Sequence, residues 1–555
     1  MPNSKTQSAK FLKPSFSINL INIGIIGVIL LIQLVLAYNQ LKFNRAEVFF
    51  AECAREMVLK SNFITPLFHG NPFFDKPILT YWLIILSFKV FGQNHLAARI
   101  PSILASLLIN ISLVFFLKKN SPPKLSSYVI LILNSALLYL SFTVSCMSDM
   151  LLVLFDTLTL ILMYLAVQKN QSRYLYLASV SMAFAFLVKG PVGVILPGLS
   201  FLVYLAIVKK LNFLKPRHFL WAGLIFLLLT LPWFILVYLN CGIGAINYFF
   251  FHENISRYLG SNYDTHKPIY FMLEAMFLGL LPWSPFLPIA FYNFLQDWLK
   301  RKSDQFELFA WIFTIVLIVF FSLSRGKIDY YLLPIYPLMA VIIGKNLLKA
   351  NGDNSLYAYV YSFLLSIATL TVAVYVTCIA KFNQNANILL VSPFVILFLV
   401  SLYYLVKKKL EMAFTTNFIC IYALNIVFAF YVLPNLNKFM PAIQYGKQLA
   451  LTHSVFNLGI YGSIQNKWFD ELTFSTRCQP VSLNNEEELK DFVNSHNNVF
   501  IIGTKSELNR LLTSVQGLKI IQSMPNLNQS LNPGYWFKHH DKAVNGQELM
   551  LIEKK

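Results

Sequence analysis

Basic side chains stand beside apolar and aromatic segments at several points where an anionic ligand could bind. Five of them carry this interpretation: Lys76, Lys189, Arg257, Arg325 and Lys327. One such residue would mean little, because lysine and arginine near a membrane often contact lipid phosphate. Five of them on the face that usually carries few basic residues indicate a phosphate-bearing ligand. For Lys76 the alternative is that it only anchors an interfacial segment.

Acidic side chains accompany these cations. Asp75 precedes Lys76 in a segment that Pro77 keeps extended. Asp149 begins an apolar run, and Asp156 follows seven residues later, two turns further along the same helical face. Carboxylates in or near a membrane span are costly unless they face a cavity or a partner, so both are candidate functional residues. The alternatives are a helix N-cap for Asp149 and a structural ion pair for Asp156.

The first long loop holds three further carboxylates. Glu52 and Glu56 stand four residues apart, which predicts one acidic face of a surface helix, exposed to solvent. Glu47 lies closer to the membrane end of the loop and is a candidate catalytic carboxylate, together with Asp75 and Asp149. Other polar residues that we expect near a cavity are His252, Glu253 and Tyr330.

Cations, carboxylates and aromatic walls together suit the transfer of a group from a phosphate. The cations would stabilise a departing phosphate, and a carboxylate would align the nucleophile. The sequence has no glycine-rich nucleotide loop, so a sugar donor anchored by a lipid tail is more natural than a soluble nucleotide sugar. The six cysteines lack paired or metal-type spacing, and we predict no disulfide framework, no metal site and no cofactor.

The elements that position these residues are membrane-spanning helices. Hydrophobic residues make up 57% of the 555 residues and charged residues 13%, with a mean hydropathy of +0.59, a composition that needs lipid as its solvent. Long apolar runs recur near the about 20 residues that a helix needs to cross a bilayer. They predict thirteen spans: 16–38, 98–117, 126–144, 149–167, 173–188, 191–208, 219–240, 269–291, 307–323, 330–345, 356–379, 388–406 and 412–433.

The charges of the loops orient these spans. With the N-terminus inside, each even-numbered span leads into a basic cluster, as the positive-inside rule requires. The clusters begin at residues 118, 169, 209, 300, 345 and 407. Counting the segment 77–92 as a span would place the later basic clusters on the outer side of the membrane. We therefore predict that this segment is a helix lying in the outer interface, within the loop 39–97. Topology therefore explains the net charge of +20, and nucleic acid is not an expected partner.

Residues 434–555 differ in composition from the rest of the chain. They are rich in asparagine and charged residues, with strand-like runs such as 499–503 and 518–522 and a helical stretch over 486–493. The predicted fold class is an all-α polytopic membrane protein of about thirteen spans over residues 1–433, with interfacial helices in its first outer loop. A small α/β domain on the outer side follows over residues 434–555.

Eight motifs occur in an order that is typical of one family. They are AECAREM, FDKPILTYW, SFKVFGQNHLAARIPS, FLVKGPVG, LPWF, FFFHENISRY, GLLPWSPFLP and SLSRGKIDYYLLP. Between about residues 40 and 340 the chain resembles the 4-amino-4-deoxy-L-arabinose transferases of lipid A (ArnT) and related membrane mannosyltransferases of the GT-C fold. The resemblance implies a multi-pass protein of the bacterial inner membrane, with its active site and C-terminal domain on the periplasmic side.

The resemblance also implies an activity and its partners. A sugar, either aminoarabinose or another pentose or hexose, would pass with inversion from a polyprenyl-phosphate carrier to lipid A, another glycan or a protein. By motif, the Asp75–Lys76 pair is expected at the active site, with Lys76 at the donor phosphate. Asp149 matches an active-site aspartate at the start of a span, and Arg257 and Lys327 match positions near the cavity.

One motif departs from the family pattern. The family usually has Asp-Glu where this chain has Ala46-Glu47, and that aspartate is its favoured catalytic carboxylate. Either Glu47 takes over this role, or the acceptor differs, or the activity is weak. A phosphate acceptor is already ionised near neutral pH and needs little help from a general base, so the substitution favours an anionic acceptor.

Two other functions fit a cationic cavity with buried carboxylates. One is protein O-mannosyl transfer, and the other is the transport or flipping of a lipid-linked sugar. Transporters commonly contain internal repeats and bind substrate near the bilayer midplane, whereas this sequence has no convincing repeat. Transfer of a sugar to a lipid or glycan acceptor is therefore the preferred prediction.

Overall fold

A computed structural model describes ten stretches of the chain. They are residues 20–118, 121–260, 265–352, 355–380, 391–437, 440–453, 455–462, 465–512, 517–525 and 548–554. Helices make up most of this structure before residue 438. These helices are Leu20–Asn39, Arg45–Leu59, Leu79–Phe91, His95–Lys118, Pro123–Ser135, Leu137–Thr143, Asp149–Lys169, Arg173–Lys189, Val192–Ile207, Leu211–Phe213, Pro216–Asn247, Tyr248–Ser256, Arg257–Leu259, Phe271–Gly279, Phe286–Leu299, Gln305–Leu323, Asp329–Ile335, Tyr336–Gly352, Leu356–Ala380, Ser392–Val406, Leu410–Val427, Phe428–Val432 and Leu433–Asn437.

Eight helices in the described stretches are long and apolar enough to cross a bilayer. A pair bent by 75°, Lys124–Ser135 and Leu137–Thr143, would make nine. These helices confirm a multi-pass helical membrane protein. Helical residues occur in each of the thirteen predicted spans, but several helices are too short for a full crossing, so the count of thirteen stays a prediction. Parts of two predicted spans, residues 16–19 and 388–390, lie outside the described residues.

The predicted span 269–291 is divided in two. It forms the separate helices Phe271–Gly279 and Phe286–Leu299. Pro282 lies between these helices, and Pro285 directly precedes the second one. Proline has no backbone amide hydrogen with which to continue a helix. An apolar run that composition predicts as one helix therefore becomes a broken segment.

The helix Arg45–Leu59 opens the first long loop and has a capping box at its start. The Asn44 side chain accepts a hydrogen bond from the Glu47 amide, and the Glu47 carboxylate accepts one from the Asn44 amide, both at 2.9 Å. Each bond satisfies a backbone group that a helix start leaves without a partner. Local sequence therefore fixes where this helix begins.

A small hairpin and a second helix complete the first long loop. Strands β1 (Leu67–Phe68) and β2 (Asn71–Pro72) pair in antiparallel fashion. The helix Leu79–Phe91 lies within the segment 77–92, where the sequence predicts an interfacial helix. Its 13 residues are too few to cross a bilayer, as that prediction requires.

The prediction of an exposed acidic face on the helix Arg45–Leu59 is wrong. Glu52 is fully buried and accepts two hydrogen bonds from Arg55. Glu56 is also buried, and its two oxygens accept hydrogen bonds from the amides of His69 and Gly70 at 2.7 and 2.9 Å. The hairpin turn folds back over the helix and is held there by Glu56, whereas Glu52 pairs with Arg55 of its own helix, so neither carboxylate faces water.

A five-stranded sheet forms near the C-terminus. Its strands are β3 (Asn457–Tyr461), β4 (Val481–Leu483), β5 (Val499–Thr504), β6 (Leu518–Pro525) and β7 (Glu548–Lys554). They stand in the order β4-β3-β5-β7-β6; β3 runs parallel to β4 and β5, and β7 runs antiparallel to β5 and β6. The helices of this region are Pro441–Thr452, Gln465–Thr476, Glu486–Ser495 and Lys505–Leu512. A mixed sheet with helices agrees with the predicted small α/β fold, and the boundary at residue 434 stays a prediction.

The C-terminal helix Gln465–Thr476 packs on the first long loop. Its Glu471 is buried and accepts hydrogen bonds from the Phe43 amide at 3.0 Å and from the His95 ring at 2.7 Å. Phe474 lies against the rings of Phe43 and His95, with centroid distances of 5.0 and 5.2 Å. Polar and aromatic contacts therefore tie the C-terminal region to both ends of this loop.

We expect the substitution Glu471→Gln to loosen this attachment. It keeps the size of the side chain but removes the charge that accepts both hydrogen bonds, which should lower the free energy of unfolding by about 1–3 kcal/mol. The measurement is thermal unfolding of the purified protein in detergent. Glu487→Gln, at an exposed position of the same region, is the control. Equal unfolding midpoints for the two variants would show that the Glu471 contacts add nothing to stability.

Candidate active site

A cavity of about 770 Å³ lies among the segments that carry the predicted site residues. Eight of the twelve predicted residues line it: Asp75, Lys76, Asp149, Asp156, Lys189, Glu253, Arg257 and Tyr330. The other four do not: Glu47, His252, Arg325 and Lys327. Motifs that are far apart in sequence therefore meet at one site.

One end of the cavity holds two cations and two carboxylates. The Lys76 ammonium lies 2.8 Å from the Asp75 carboxylate. The Arg257 guanidinium lies 3.2 Å from the same Asp75 oxygen and 3.2 Å from Glu253. Asp75 therefore bridges Lys76 and Arg257, and the two cations point toward one place. Although burial alone would raise the pKa of Asp75, Lys76 and Arg257 hold that pKa below its usual range, so the bridge stays ionised.

A second cluster forms around Lys189. Its ammonium lies 2.5 Å from the Asp149 carboxylate, which is the first residue of the helix Asp149–Lys169. The same ammonium lies over the rings of Tyr331 and Tyr330, 5.2 and 5.6 Å from their centroids. Asp149 is thus an ion-pair partner as well as a helix start. Aromatic faces and a carboxylate together fix the position of this lysine.

Asp156 lies in the cavity wall, seven residues beyond Asp149 on the same helix. Its side chain is only 3% exposed. One of its carboxylate oxygens has no hydrogen-bond partner among the described residues. Asp156 is therefore a buried acidic group that the protein itself leaves partly unsatisfied.

Gly190 ends the helix that carries Lys189, in a conformation that only glycine adopts readily. Its backbone has φ +83° and ψ −148°. A Cβ atom at this position would lie 2.7 Å from the ring of Phe249. The turn that directs Lys189 into the cavity therefore depends on the absence of a side chain.

We expect Gly190→Ala to lower the free energy of unfolding by about 1–3 kcal/mol and to weaken ligand binding. The strained backbone and the contact with Phe249 would both move Lys189 away from Asp149. Thermal unfolding in detergent and binding of a polyprenyl phosphate would measure the two effects. The control is Gly198→Ala, because Gly198 is helical and a Cβ there would meet the Met182 side chain at an ordinary contact distance of 3.9 Å, so alanine should stabilise the helix by up to about 1 kcal/mol. Similar behaviour of the two variants would contradict the prediction.

The position of Glu47 argues against its predicted catalytic role. One oxygen accepts hydrogen bonds from Arg99 at 2.9 Å and from the Cys146 amide at 2.8 Å, and the other accepts from the Asn44 amide. Both Glu47 and Arg99 have fully buried side chains. The neighbouring Ala46, not Glu47, lines the cavity. Because the Glu47 carboxylate points toward Arg99, it stabilises the fold of the loop.

His252, Arg325 and Lys327 border the site without lining it. His252 contacts Glu253 at 3.1 Å and stacks on Tyr248, and both of these neighbours line the cavity. The Arg325 side chain packs beside Gly260. Lys327 is buried, and its amide donates to a threonine hydroxyl in the preceding loop. The turn contributes Ser324 and Gly326 to the cavity instead of its cations, so the predicted phosphate contacts of Arg325 and Lys327 are not supported.

Several polar lining residues were not among those predicted from the sequence. They are Ser148, Tyr248, Asn254, Tyr258, Ser324 and Tyr331. Four of them stand within the quoted motifs FFFHENISRY and SLSRGKIDYYLLP, each directly beside a residue that was chosen. Apart from Tyr330, the chosen residues have side chains that carry a charge or can gain one near neutral pH, and neutral hydrogen-bonding groups in the same motifs carry no such signal.

Comparison with known proteins gives the chain its relatives. The family model described as "Dolichyl-phosphate-mannose-protein mannosyltransferase" matches residues 75–236. An "Undecaprenyl phosphate-alpha-4-amino-4-deoxy-L-arabinose arabinosyl transferase" from Wigglesworthia glossinidia brevipalpis is 30% identical over 357 residues, which cover 63% of this chain and 61% of that protein. An uncharacterized protein from Aquifex aeolicus is 33% identical, over 58% of this chain and 71% of that protein. The chain thus spans about three fifths of the length of the first of these relatives.

A solved structure shares the fold over almost the whole chain. It is the crystal structure of ArnT from Cupriavidus metallidurans bound to undecaprenyl phosphate, with a TM-score of 0.70 and 18% sequence identity. The likeness covers 96% of this chain and 97% of that one. At this identity it establishes the architecture, and the sequence relatives add the family. The chain belongs to the ArnT-like family of GT-C membrane glycosyltransferases.

Proposed function

We propose that this protein transfers a sugar from a polyprenyl-phosphate carrier to a lipid acceptor at the outer face of a bacterial inner membrane. The observation that carries this proposal is the pair of cations, Lys76 and Arg257, which Asp75 holds together in the cavity of a multi-pass membrane protein. Arginine and lysine are the usual partners of phosphate oxygens. When the carrier binds, its phosphate would take the place of the Asp75 carboxylate as the partner of Lys76 and Arg257.

The reaction is a single displacement at the anomeric carbon of the sugar. An acceptor oxygen forms the new bond while the bond from carbon to the carrier phosphate breaks, and the configuration at that carbon inverts. The electron pair of the broken bond stays with the phosphate, which leaves with additional negative charge. Lys76 and Arg257 stabilise that charge because they are already in place before the reaction begins.

The acceptor end of the reaction is assigned to Asp149 and Lys189. Asp149 is already bonded to Lys189, so the pair is better suited to orienting an acceptor than to removing a proton. The cavity wall at Ala46 supplies no carboxylate. An acceptor that is already ionised, such as a phosphate of lipid A, needs no strong base and fits this arrangement.

The names of the relatives give more specific candidates. They specify undecaprenyl phosphate as the carrier and 4-amino-4-deoxy-L-arabinose as the sugar. We propose the same type of carrier here, and an amino-bearing or neutral pentose or hexose as the sugar. The helix Gln465–Thr476 packs on the first long loop through Glu471. We therefore propose that residues 434–555 form a domain on the periplasmic side, the same side as the cavity.

Mass spectrometry of lipid A, from cells with and without this protein, tests the proposal. We expect a pentose or hexosamine increment on a lipid A phosphate that requires the protein and disappears in an Arg257→Ala variant. Purified protein with a polyprenyl-phosphate sugar and lipid A should reproduce the increment. Glycoproteins of the periplasm are analysed from the same cells.

Two results would favour other functions. Unchanged lipid A with altered protein glycans would indicate protein glycosylation, the activity in the description of the matching family model. If neither product changes while a lipid-linked sugar accumulates on one side of the membrane, the protein would be a transporter. Either result would overturn the proposed lipid acceptor.

A further inference from the structure

The first long loop supplies a large part of the cavity wall. Six lining residues belong to it: Ala46, Phe49, Phe50, Phe73, Asp75 and Lys76. Three of them lie on the loop's first helix, Arg45–Leu59, and the other three follow the hairpin of β1 and β2. Neither group belongs to a helix long enough to cross a bilayer. Whatever fixes the shape of this loop therefore also fixes the position of Lys76.

Glu471 of the helix Gln465–Thr476 holds the two ends of the loop together. Its oxygens accept hydrogen bonds from the Phe43 amide, before the loop's first helix, and from the His95 ring, where the helix His95–Lys118 begins. The rings of Phe43 and His95 also lie against each other, with centroids 4.4 Å apart. All three side chains are buried, so water does not compete for these bonds.

Asp470, beside Glu471 on the same helix, contacts the middle of the loop. Consecutive residues of a helix point about 100° apart, so the two acids reach different partners. The Asp470 carboxylate lies 3.6 Å from the His69 ring at the hairpin turn. The amides of His69 and Gly70 bind Glu56 of the loop's first helix. The turn that leads to the phosphate-binding end of the cavity is thus held from two sides.

Further contacts lead from this attachment to the cavity wall at Asp149. The Arg99 guanidinium lies over the ring of Phe43, 4.9 Å from its centroid. Arg99 binds Glu47, which accepts a hydrogen bond from the Cys146 amide at 2.8 Å. Cys146 stands three residues before Asp149, which lines the cavity. A displacement of Phe43 would therefore reach both the loop and this second wall.

We propose that Asp470 and Glu471 are positioning residues of the active site, which couple the attachment of their helix to ligand binding in the cavity. Neither acid lines the cavity, so both act through the loop that presents Lys76. A phosphate bound by Lys76 in turn restrains the loop and the helix that rests on it. Such a coupling is reciprocal, because each event stabilises the other by the same factor. This inference rests on the proposed function, since it takes a polyprenyl phosphate as the ligand.

Glu471→Gln in the purified full-length protein tests this inference. We expect hydrogen exchange of residues 66–76 and 144–148 to become about fivefold faster or more, and the Kd of polyprenyl phosphate to rise by a similar factor. Asp470→Asn should act in the same direction with a smaller effect, because its contact is partly exposed. In the natural protein, polyprenyl phosphate should slow hydrogen exchange of the helix Gln465–Thr476, which lies outside the cavity.

Tyr445→Phe distinguishes positioning from a general loss of stability. The Tyr445 hydroxyl is buried and donates to the carbonyl of Leu549 in strand β7, so its removal lowers the unfolding midpoint without changing either acid. Exchange in the loop and the Kd should stay within about twofold of the natural values. Glu471→Asp keeps the charge and should recover part of the affinity. If Tyr445→Phe and Glu471→Gln raise the Kd equally, the inference is overturned.

Hydrogen exchange without ligand separates the failure of this inference from that of the proposed function. Faster exchange of the loop in Glu471→Gln, in a protein whose natural form binds no polyprenyl phosphate, would support the positioning role and overturn the proposed function. Unchanged exchange and an unchanged Kd in Glu471→Gln, in a protein that transfers sugar, would do the reverse.

Discussion

A Lys76→Met protein is expected to fold normally and to lose sugar transfer by about a hundredfold to a thousandfold in kcat/KM. Methionine keeps the length and apolar stem of the side chain but removes the ammonium that we assign to the leaving phosphate. Arg257 would remain, bonded to Asp75 and Glu253, so a residual rate should persist. The measurement is transfer from a polyprenyl-phosphate sugar by the purified protein in lipid nanodiscs.

The control for this prediction lies in the same loop. Lys89 is exposed, stands over the ring of Phe63 and does not line the cavity, so Lys89→Met should retain full activity. Lys76→Arg should recover a part of the rate, because the charge returns in a different shape. If Lys76→Met keeps half of the natural rate or more, the donor phosphate binds elsewhere, and the Lys189 cluster becomes the first alternative.

Patterns that depend only on nearby residues were predicted well from the sequence. Apolar runs gave helices in every predicted span, and strand-like runs such as 499–503 gave β5 of the C-terminal sheet. Asp149 and Asp156 both line the cavity, since a spacing of seven residues puts them on one helical face. The charges of the loops predicted which loops face the cytoplasm and which face the outer side, and this orientation stays a prediction.

Contacts between distant segments account for the failures. Glu52 and Glu56 have the spacing of an exposed acidic face, but a hairpin turn and Arg55 occupy their oxygens. The partner of Glu47 is Arg99, 52 positions away, and the local sequence around either residue does not predict this ion pair. Where several segments fold over one another, residue spacing does not reveal which side chain faces a cavity.

The cavity combines two neutralised clusters with different tasks. Asp75 brings Lys76 and Arg257 together at one end, and Asp149 holds Lys189 under the tyrosine rings at the other. Carboxylates that would be poor ligands for a phosphate thus position the cations that we propose to bind it.

Glu47→Gln provides the sharpest test of whether the loop carboxylate is catalytic or structural. We expect a loss of about 3–5 kcal/mol in the free energy of unfolding, because Arg99 would be left buried without its counterion. The kcat/KM of the molecules that remain folded should stay within about twofold of the natural value, since Ala46 and not Glu47 faces the cavity. Thermal unfolding in detergent and a transfer assay normalised to folded protein give the two numbers.

Glu411→Gln is the matched control, because Glu411 pairs with Lys124 in an exposed position where an ion pair contributes about 0–1 kcal/mol. The opposite pattern for Glu47→Gln, a normal unfolding midpoint with a large loss of kcat, would mean that this carboxylate leaves Arg99 during turnover. That movement would have to break four contacts at once: two from Arg99 and one each from the amides of Asn44 and Cys146. A carboxylate so heavily engaged in the fold is a poor choice for a base that must act in every cycle.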